Sequence, residues 1–218
     1  MNDIKVVAFD CDGVMFDTIK ANLAFYNHIL EHFGRSAMTK EQLDYVHMHT
    51  ADNAIAFLFD NQESYEAAQE YRKTLSYLPF LRYMEIEPYL KPLLEKLRPE
   101  YKTAVATNRT DTMNGVLKQH CLEGYFDLVV SALDVDRPKP YPDSLIKIMK
   151  HFKIDQNQII YVGDSELDER AAKAAGVIFV AYDNKSLTAE YHIDSLKEIE
   201  EIIDFQIHSV LHSPDTAR

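Results

Sequence analysis

The chain has 218 residues, of which 46% are hydrophobic and 27% charged, a composition typical of a soluble globular protein with a substantial core. A formal net charge of −12 argues against nucleic acid and anionic lipid as partners, so an anion could bind only at a local positive site. No apolar run approaches the ~20 residues that span a bilayer, and no secretory signal is recognisable, which predicts a cytoplasmic protein without a membrane span.

Short apolar runs predict a β-sheet. The first run is Lys5–Phe9, and after a long gap four more follow, at Thr103–Thr107, Leu128–Ser131, Ile159–Gly163 and Val177–Ala181. Their near-continuous apolar character is typical of strands covered on both faces, and helical patterns lie between most of them. These features predict an α/β fold with a parallel sheet.

The gap after the first run reads as helix throughout. An amphipathic helix ends at Gly34, and Thr39 with Gln42 forms a capping box that opens the next helix. A longer helix, Tyr65–Leu78, is expected to stop at Pro79. The gap is therefore predicted to be an inserted, all-helical subdomain.

The domain boundaries follow from these patterns. A last helix is predicted at Ser195–Phe205, and the residues beyond it read as a loosely held tail. The predicted domains are an α/β core at 1–15 and 84–205, a helical cap subdomain at 16–83, and a C-terminal tail at 206–218.

Two carboxylates separated by one residue follow the first predicted strand, in the sequence Asp10-Cys11-Asp12-Gly13. Ligands of open α/β sheets bind at the carboxyl ends of the strands, although Asp and Gly also form ordinary turns there. Cys11 and Cys121 lack the spacing of a disulfide framework or a metal site, so both are predicted to be buried thiols.

Two further segments carry polar groups after strands. Thr107 and Asn108 end the second run and, taken alone, could simply begin a turn. Lys139 lies between Pro138 and Pro140, and because proline restricts both its own backbone and that of the residue before it, this lysine is held on a stiff segment. A solvated lysine needs no such rigidity, whereas a phosphate ligand gains from it.

The fourth strand ends in Gly163, and Asp164 and Asp168 follow it four residues apart. Across a strand-to-helix turn both carboxylates can face one point, although acids in a first helical turn also complement the helix dipole. With two acids already present after the first strand, we favour a site for a hard cation such as magnesium.

These four segments, in this order, resemble the four motifs of the haloacid dehalogenase-like hydrolase superfamily, and together they span Asp10 to Asp168. The helical insertion resembles the cap of the branch that contains phosphoglycolate phosphatases and β-phosphoglucomutases. The resemblance implies a Rossmann-like parallel sheet with helices on both faces and an all-helical cap. It also implies a phosphoric monoester hydrolase that acts on a small-molecule phosphate ester, with 2-phosphoglycolate as the leading candidate, and that exists as a monomer or homodimer.

The resemblance further implies a magnesium ion bound by the Asp10 side chain, the Asp12 backbone carbonyl and Asp164, with Asp168 bound directly or through water. Asp10 is then the nucleophile that forms an aspartyl-phosphate. Asp12, two residues along the chain, would serve first as general acid and then as general base.

Other residues are expected to hold the phosphoryl group. Thr107 and Lys139 would contact its oxygens as catalytic, phosphate-binding side chains. Backbone amides at Cys11, Asp12 and Asn108 would add donors without adding charge.

Substrate contacts outside these motifs are expected from His49 and Thr50 in the cap and from Arg109, although Arg109 could equally pair with the acidic surface. Ala51 stands where the sugar-phosphate mutases usually carry an arginine for the distal phosphate, which weakens the alternative of a β-phosphoglucomutase-like mutase. A second alternative, a non-hydrolytic aspartyl-phosphate switch, explains neither the helical insertion nor Asp12.

Overall fold

A computed structural model describes residues 4–48 and 51–204. In it, six parallel strands form one sheet. These strands are β1 (Val6–Phe9), β4 (Lys102–Ala106), β5 (Leu128–Val130), β6 (Ile159–Gly163), β7 (Ile178–Tyr182) and β8 (Tyr191–Ile193). Their order in the sheet is β5-β4-β1-β6-β7-β8. The predicted α/β class and the parallel sheet are therefore confirmed.

Both faces of the sheet are covered, which explains why the strands read as continuous apolar runs. Val6 and Ala8 of β1 pack in one cluster with Leu145 and Ile148. Val7 and Phe9, which strand alternation directs to the opposite face, are also fully buried. The helices around the sheet are α5 (Leu90–Leu97), α6 (Met113–Gln119), α7 (Asp143–Phe152) and α8 (Glu166–Ala175).

The edge strand β8 was not predicted from the sequence. It is only three residues long, and His192 at its centre is exposed. It therefore lacks the apolar run by which strands inside the sheet are recognised. A helical segment over 199–204 follows it, and the predicted tail at 206–218 lies outside the described residues.

The chain separates into two compact units, one of which is Asp17–Glu85. The described residues before and after this unit build the sheet. The predicted cap, 16–83, differs from the unit by one residue at its start and two at its end. Two short strands, β2 (Phe16–Asp17) and β3 (Glu85–Ile86), pair with each other in a separate two-stranded sheet.

The unit Asp17–Glu85 is helical and has a core of its own. Phe25, Ile29, Ile55 and Phe59 belong to its buried cluster. Its helices are α1 (Ile19–His32), α2 (Lys40–Met48), α3 (Ala51–Leu58) and α4 (Gln62–Thr74). Among the described residues, no helix has the length and apolar character needed to cross a membrane.

Two local signals in this unit behave differently. Thr39 and Gln42 form the predicted capping box, since each backbone N–H bonds to the other side chain. The predicted stop at Pro79 is wrong, because α4 ends at Thr74 and Pro79 instead opens a short 3₁₀ helix, Leu78–Tyr83. Proline is tolerated in the first turn of a helix, so it marks a start here as readily as a stop.

Candidate active site

The strand order brings three motif residues to one edge of the sheet. β1 lies between β4 and β6, and the chain leaves these strands at Asp10, Thr107 and Asp164. Because all three strands run parallel, their carboxyl ends meet at the same edge. Residues more than 150 positions apart in the sequence are thereby neighbours.

Lys139 is the centre of this cluster. Its Nζ lies 2.7 Å from Asp10 Oδ1 and 2.6 Å from Asp168 Oδ1, and only 4% of its side chain is exposed. Burial opposes a charged lysine, but the two carboxylates raise the pKa of Lys139 above its usual value. The lysine is therefore a fixed positive charge beside Asp10.

The backbone of Lys139 is held as firmly as its side chain. The Asn108 side chain donates to the Lys139 carbonyl and accepts from the Lys139 N–H, both at 3.0 Å. Sequence reasoning assigned Asn108 only a backbone donor, and it missed this reciprocal pair. The pair connects the second motif directly to the third.

Three carboxylates lie close together at this edge of the sheet. Asp10, Asp164 and Asp168 each offer an oxygen, and these oxygens lie within 4.8 Å of one another. Burial raises the pKa of Asp10 well above its usual value, and burial together with Asp168 raises the pKa of Asp164 to about 7. One lysine does not balance this much negative charge, so the cluster fits a hard divalent cation that takes oxygen ligands.

Asp168 is bound differently from the other two acids. Its Oδ1 accepts from Lys139 and from the Tyr161 hydroxyl, and its Oδ2 accepts from the backbone N–H and hydroxyl of Ser165. Burial opposes its ionisation, but Lys139 and these hydrogen bonds keep the pKa of Asp168 below its usual value. Asp168 is thus an ionised anchor for Lys139 as well as an acid of the cluster.

Gly13 allows the turn after Asp10 to approach Asp164. Its φ is +83°, and a Cβ at this position would lie 2.0 Å from Asp164 Oδ2. Any side chain here would have to displace the carboxylate. The turn formed by residues 11–16 is closed by backbone bonds from Met15 and Phe16 to the Cys11 carbonyl.

Asp12 points to a different partner. Its two oxygens accept from Arg109 Nε at 2.7 Å and Nη2 at 2.6 Å, and its side chain is 39% exposed. Arg109 Nη1 also donates to the Thr112 hydroxyl at 3.1 Å. Arg109 therefore makes a bidentate pair with the residue predicted to be the general acid and base, rather than with an unrelated part of the surface.

The remaining predicted site residues have separate outcomes. Thr107 is buried at the edge of the sheet, where its hydroxyl accepts from the Arg109 N–H at 3.1 Å. His49 and Thr50 lie outside the described residues.

The two cysteines lie in different surroundings. Cys11 is buried, and burial raises the pKa of its thiol. Cys121 is exposed, so the prediction that both thiols are buried is wrong for Cys121. Cys121 follows the end of α6 with a φ of +54°, in a turn rather than in the core.

This geometry can be compared with known proteins. The sequence profile of the family described as haloacid dehalogenase-like hydrolase matches residues 7–182. The chain belongs to this family.

Relatives in the family are named as phosphatases. The chain is 30% identical to a putative pyrophosphatase PpaX from Caldanaerobacter subterraneus subsp. tengcongensis, over 82% of this chain and 81% of that one. It is 25% identical to a phosphoglycolate phosphatase from Vibrio parahaemolyticus, over 92% of this chain and 96% of that one. The protein is an enzyme of this family, a phosphatase.

Solved structures agree on the fold. A subfamily IA hydrolase of the same superfamily from Geobacter sulfurreducens is 36% identical, with a TM-score of 0.85, over 93% of this chain and 97% of that one. A β-phosphoglucomutase from Clostridium difficile is 17% identical with a TM-score of 0.71, over 94% of this chain and 99% of that one, and shares the fold. The Rossmann-like fold implied by the motifs is confirmed.

Proposed function

We propose that the enzyme is a magnesium-dependent phosphatase that hydrolyses a small phosphomonoester through an aspartyl-phosphate on Asp10. The observation that carries this proposal is the cluster of the Asp10, Asp164 and Asp168 carboxylates, two of which, Asp10 and Asp168, pair with the single ammonium group of Lys139. A cluster with this excess of negative charge repels a phosphate ester unless a cation is bound. Magnesium held by the Asp10 and Asp164 carboxylates and the Asp12 carbonyl, with Asp168 direct or through water, would neutralise that charge and polarise the phosphoryl group.

Asp10 supplies the nucleophile in this mechanism. One of its carboxylate oxygens forms a bond to phosphorus as the bond from phosphorus to the leaving oxygen breaks. Lys139 keeps positive charge beside Asp10 throughout, and Thr107 with the backbone amides of Cys11, Asp12 and Asn108 would donate to the phosphoryl oxygens. Water then attacks phosphorus, the aspartyl-phosphate bond breaks, and Asp10 is regenerated with release of inorganic phosphate.

Asp12 supplies and then removes the proton. The leaving alkoxide takes a proton from Asp12, and the attacking water later returns one to it, so the two half-reactions balance. The bidentate Arg109 pair holds Asp12 in one orientation, but it also occupies both oxygens. We therefore assign Arg109 to orient Asp12 between turnovers and to yield one oxygen of Asp12 when substrate is bound.

The proposed substrates are small phosphate compounds. Of the relatives, those named phosphoglycolate phosphatase support 2-phosphoglycolate as the leading candidate, and those named pyrophosphatase PpaX make pyrophosphate the second. A mutase that retains a second phosphate needs fixed positive charge in its cap. Residues 45–58, which include Ala51, contain no Arg or Lys, so hydrolysis is favoured over transfer to a phosphosugar.

The experiment is a panel of phosphorylated metabolites assayed for phosphate release with magnesium and with a chelator. We expect one small phosphomonoester to be hydrolysed with magnesium, no release with the chelator, and at least a ~10³-fold loss in Asp10→Asn. β-Glucose 1-phosphate with a trace of its bisphosphate is included as the mutase test. Isomerisation faster than phosphate release, or release that persists in the chelator, would contradict the proposal.

A further inference from the structure

Tyr161 is a buried tyrosine that the mechanism above does not use. It lies in the middle of β6, is among the largest fully buried side chains, and its ring packs in the sheet core. A tyrosine hydroxyl in such a place has to find hydrogen-bond partners. The partners that it finds belong to the candidate active site.

The Tyr161 hydroxyl closes a ring of hydrogen bonds with Lys139 and Asp168. Lys139 Nζ donates to the hydroxyl at 3.0 Å, and the hydroxyl lies 2.6 Å from Asp168 Oδ1, which also accepts from Lys139. The Ala106 carbonyl, at the end of β4, lies 3.2 Å from the same hydroxyl. The hydroxyl is therefore in contact with the ammonium group, with its anchoring carboxylate and with the backbone of a neighbouring strand.

The ammonium group has three N–H donors, and three acceptors surround it. Two are the carboxylates of Asp10 and Asp168, and the third is the Tyr161 hydroxyl. Three acceptors in different directions fix the position of a flexible lysine head group, whereas two would allow it to swing about the line that joins them. The carboxylates alone would hold the charge of Lys139 less closely.

We infer that Tyr161 is a positioning residue for the phosphoryl transfer, acting through Lys139 and Asp168. This inference rests on the proposed function, because it presumes that Lys139 stabilises the transferring phosphoryl group. A small displacement of a charged catalytic group is expensive in rate, so the loss of one hydroxyl should be visible in catalysis.

The test is Tyr161→Phe, which removes the hydroxyl and keeps the buried ring. The matched control is Tyr26→Phe, the same change in a tyrosine buried in the core of the unit Asp17–Glu85. We expect kcat/KM of Tyr161→Phe to fall ~10- to 100-fold and inhibition by orthovanadate to weaken by a similar factor. The magnesium concentration for half-maximal activity should change by a smaller factor than kcat/KM, because the Tyr161 hydroxyl bonds to Asp168, whereas the proposal assigns the ion chiefly to the Asp10 and Asp164 carboxylates. Tyr26→Phe should keep all three values.

Several outcomes would overturn the inference. Tyr161→Phe with the activity of Tyr26→Phe would do so, and so would a loss that disappears at a temperature where both variants are fully folded, since the hydroxyl would then be structural only. Lys139→Met separates this failure from that of the proposed function. If Lys139→Met is nearly inactive but Tyr161→Phe is normal, only the positioning role fails, whereas a fully active Lys139→Met overturns both.

Discussion

At the scale of single residues, the site contains more acidic than basic side chains. Three carboxylates, Asp10, Asp164 and Asp168, lie together, and one lysine pairs with the first and the last of them. The fourth acid, Asp12, pairs with an arginine. This separates two kinds of carboxylate. The first three form a cluster with a single positive charge, while Asp12 is more exposed than Asp10 and Asp168 and is held by an arginine.

The separation predicts a specific defect in Asp12→Asn. With an alkyl phosphate as substrate, turnover should fall ~10²- to 10⁴-fold, because neither the leaving alkoxide nor the attacking water has a proton partner. With acetyl phosphate, whose leaving group needs no proton, the first half-reaction should survive and phosphorylated enzyme should accumulate. Burst kinetics on both substrates measure this difference. With acetyl phosphate, equal losses in both half-reactions would contradict the role given to Asp12.

At the scale of secondary structure, the turn after β1 is shaped by its contact with the turn after β6. Gly13 and Gly124 both have positive φ, +83° and +79°, but only Gly13 would direct a Cβ into Asp164, and nothing lies within 4 Å of the Cβ position of Gly124. Substitution of either glycine by alanine would therefore strain the backbone, but only substitution of Gly13 would also bring a Cβ into collision with a carboxylate of the site.

Gly13→Ala should weaken magnesium activation at least ~10-fold, since it must move a carboxylate of the cluster. Gly124→Ala should lose only the ~1–2 kcal/mol of a left-handed alanine and keep normal kinetics. Magnesium titrations of activity, with thermal unfolding as the stability control, distinguish the two. Similar magnesium constants in both variants would mean that the approach of Gly13 to Asp164 has no part in the site.

The secondary structure could be predicted from the sequence only in part. Five of the six strands could be predicted because each lies within an apolar run, and this includes the short edge strand β5. The other edge strand, β8, could not, because its central residue is the exposed His192. The capping box at Thr39 could be read locally, while the end of α4 depends on packing that no local signal encodes.

The site divides in the same way. The motif residues could be named from their spacing after strands, because the carboxyl ends of parallel strands converge. Two contacts of Lys139 could not be predicted, the one between its backbone and the Asn108 side chain and the one between its ammonium group and the Tyr161 hydroxyl. Both depend on distances between segments about 20 to 30 residues apart in the sequence. A lone tyrosine within the apolar run Ile159–Gly163 was the one available signal, because a buried hydroxyl requires a partner.

At the scale of the whole molecule, the acid cluster should couple stability to pH and, under the proposed function, to magnesium. The pKa of Asp164 is raised to about 7 in the folded protein, against an unfolded value of roughly 3.9. An acid whose pKa is raised by folding stabilises the folded state fully at pH values below its pKa in the unfolded chain. This stabilisation is lost as the pH rises through its pKa in the folded protein. The metal-free protein should therefore lose stability as the pH rises from about 4 to about 7, and Asp10, whose pKa is also raised, acts in the same direction.

Magnesium should reverse this loss, because it binds the ionised carboxylates. We expect the rise in Tm on adding magnesium to be several degrees larger at pH 8 than at pH 5.5. Asp164→Asn should flatten the metal-free change in Tm between these pH values, which serves as the control for other titrating groups. Equal magnesium stabilisation at both pH values would show that the ion does not compete with protons at this cluster.

The central claim, a covalent phosphoryl group on Asp10, can be tested by trapping it. The enzyme is mixed with magnesium and acetyl phosphate, quenched in acid during the first turnover, and its peptides are analysed by mass spectrometry. We expect a phosphoryl group on Asp10 in the wild type, a larger fraction in Asp12→Asn, and none in Asp10→Asn. A phosphoryl group on another residue, or hydrolysis at the wild-type rate by Asp10→Asn, would contradict it.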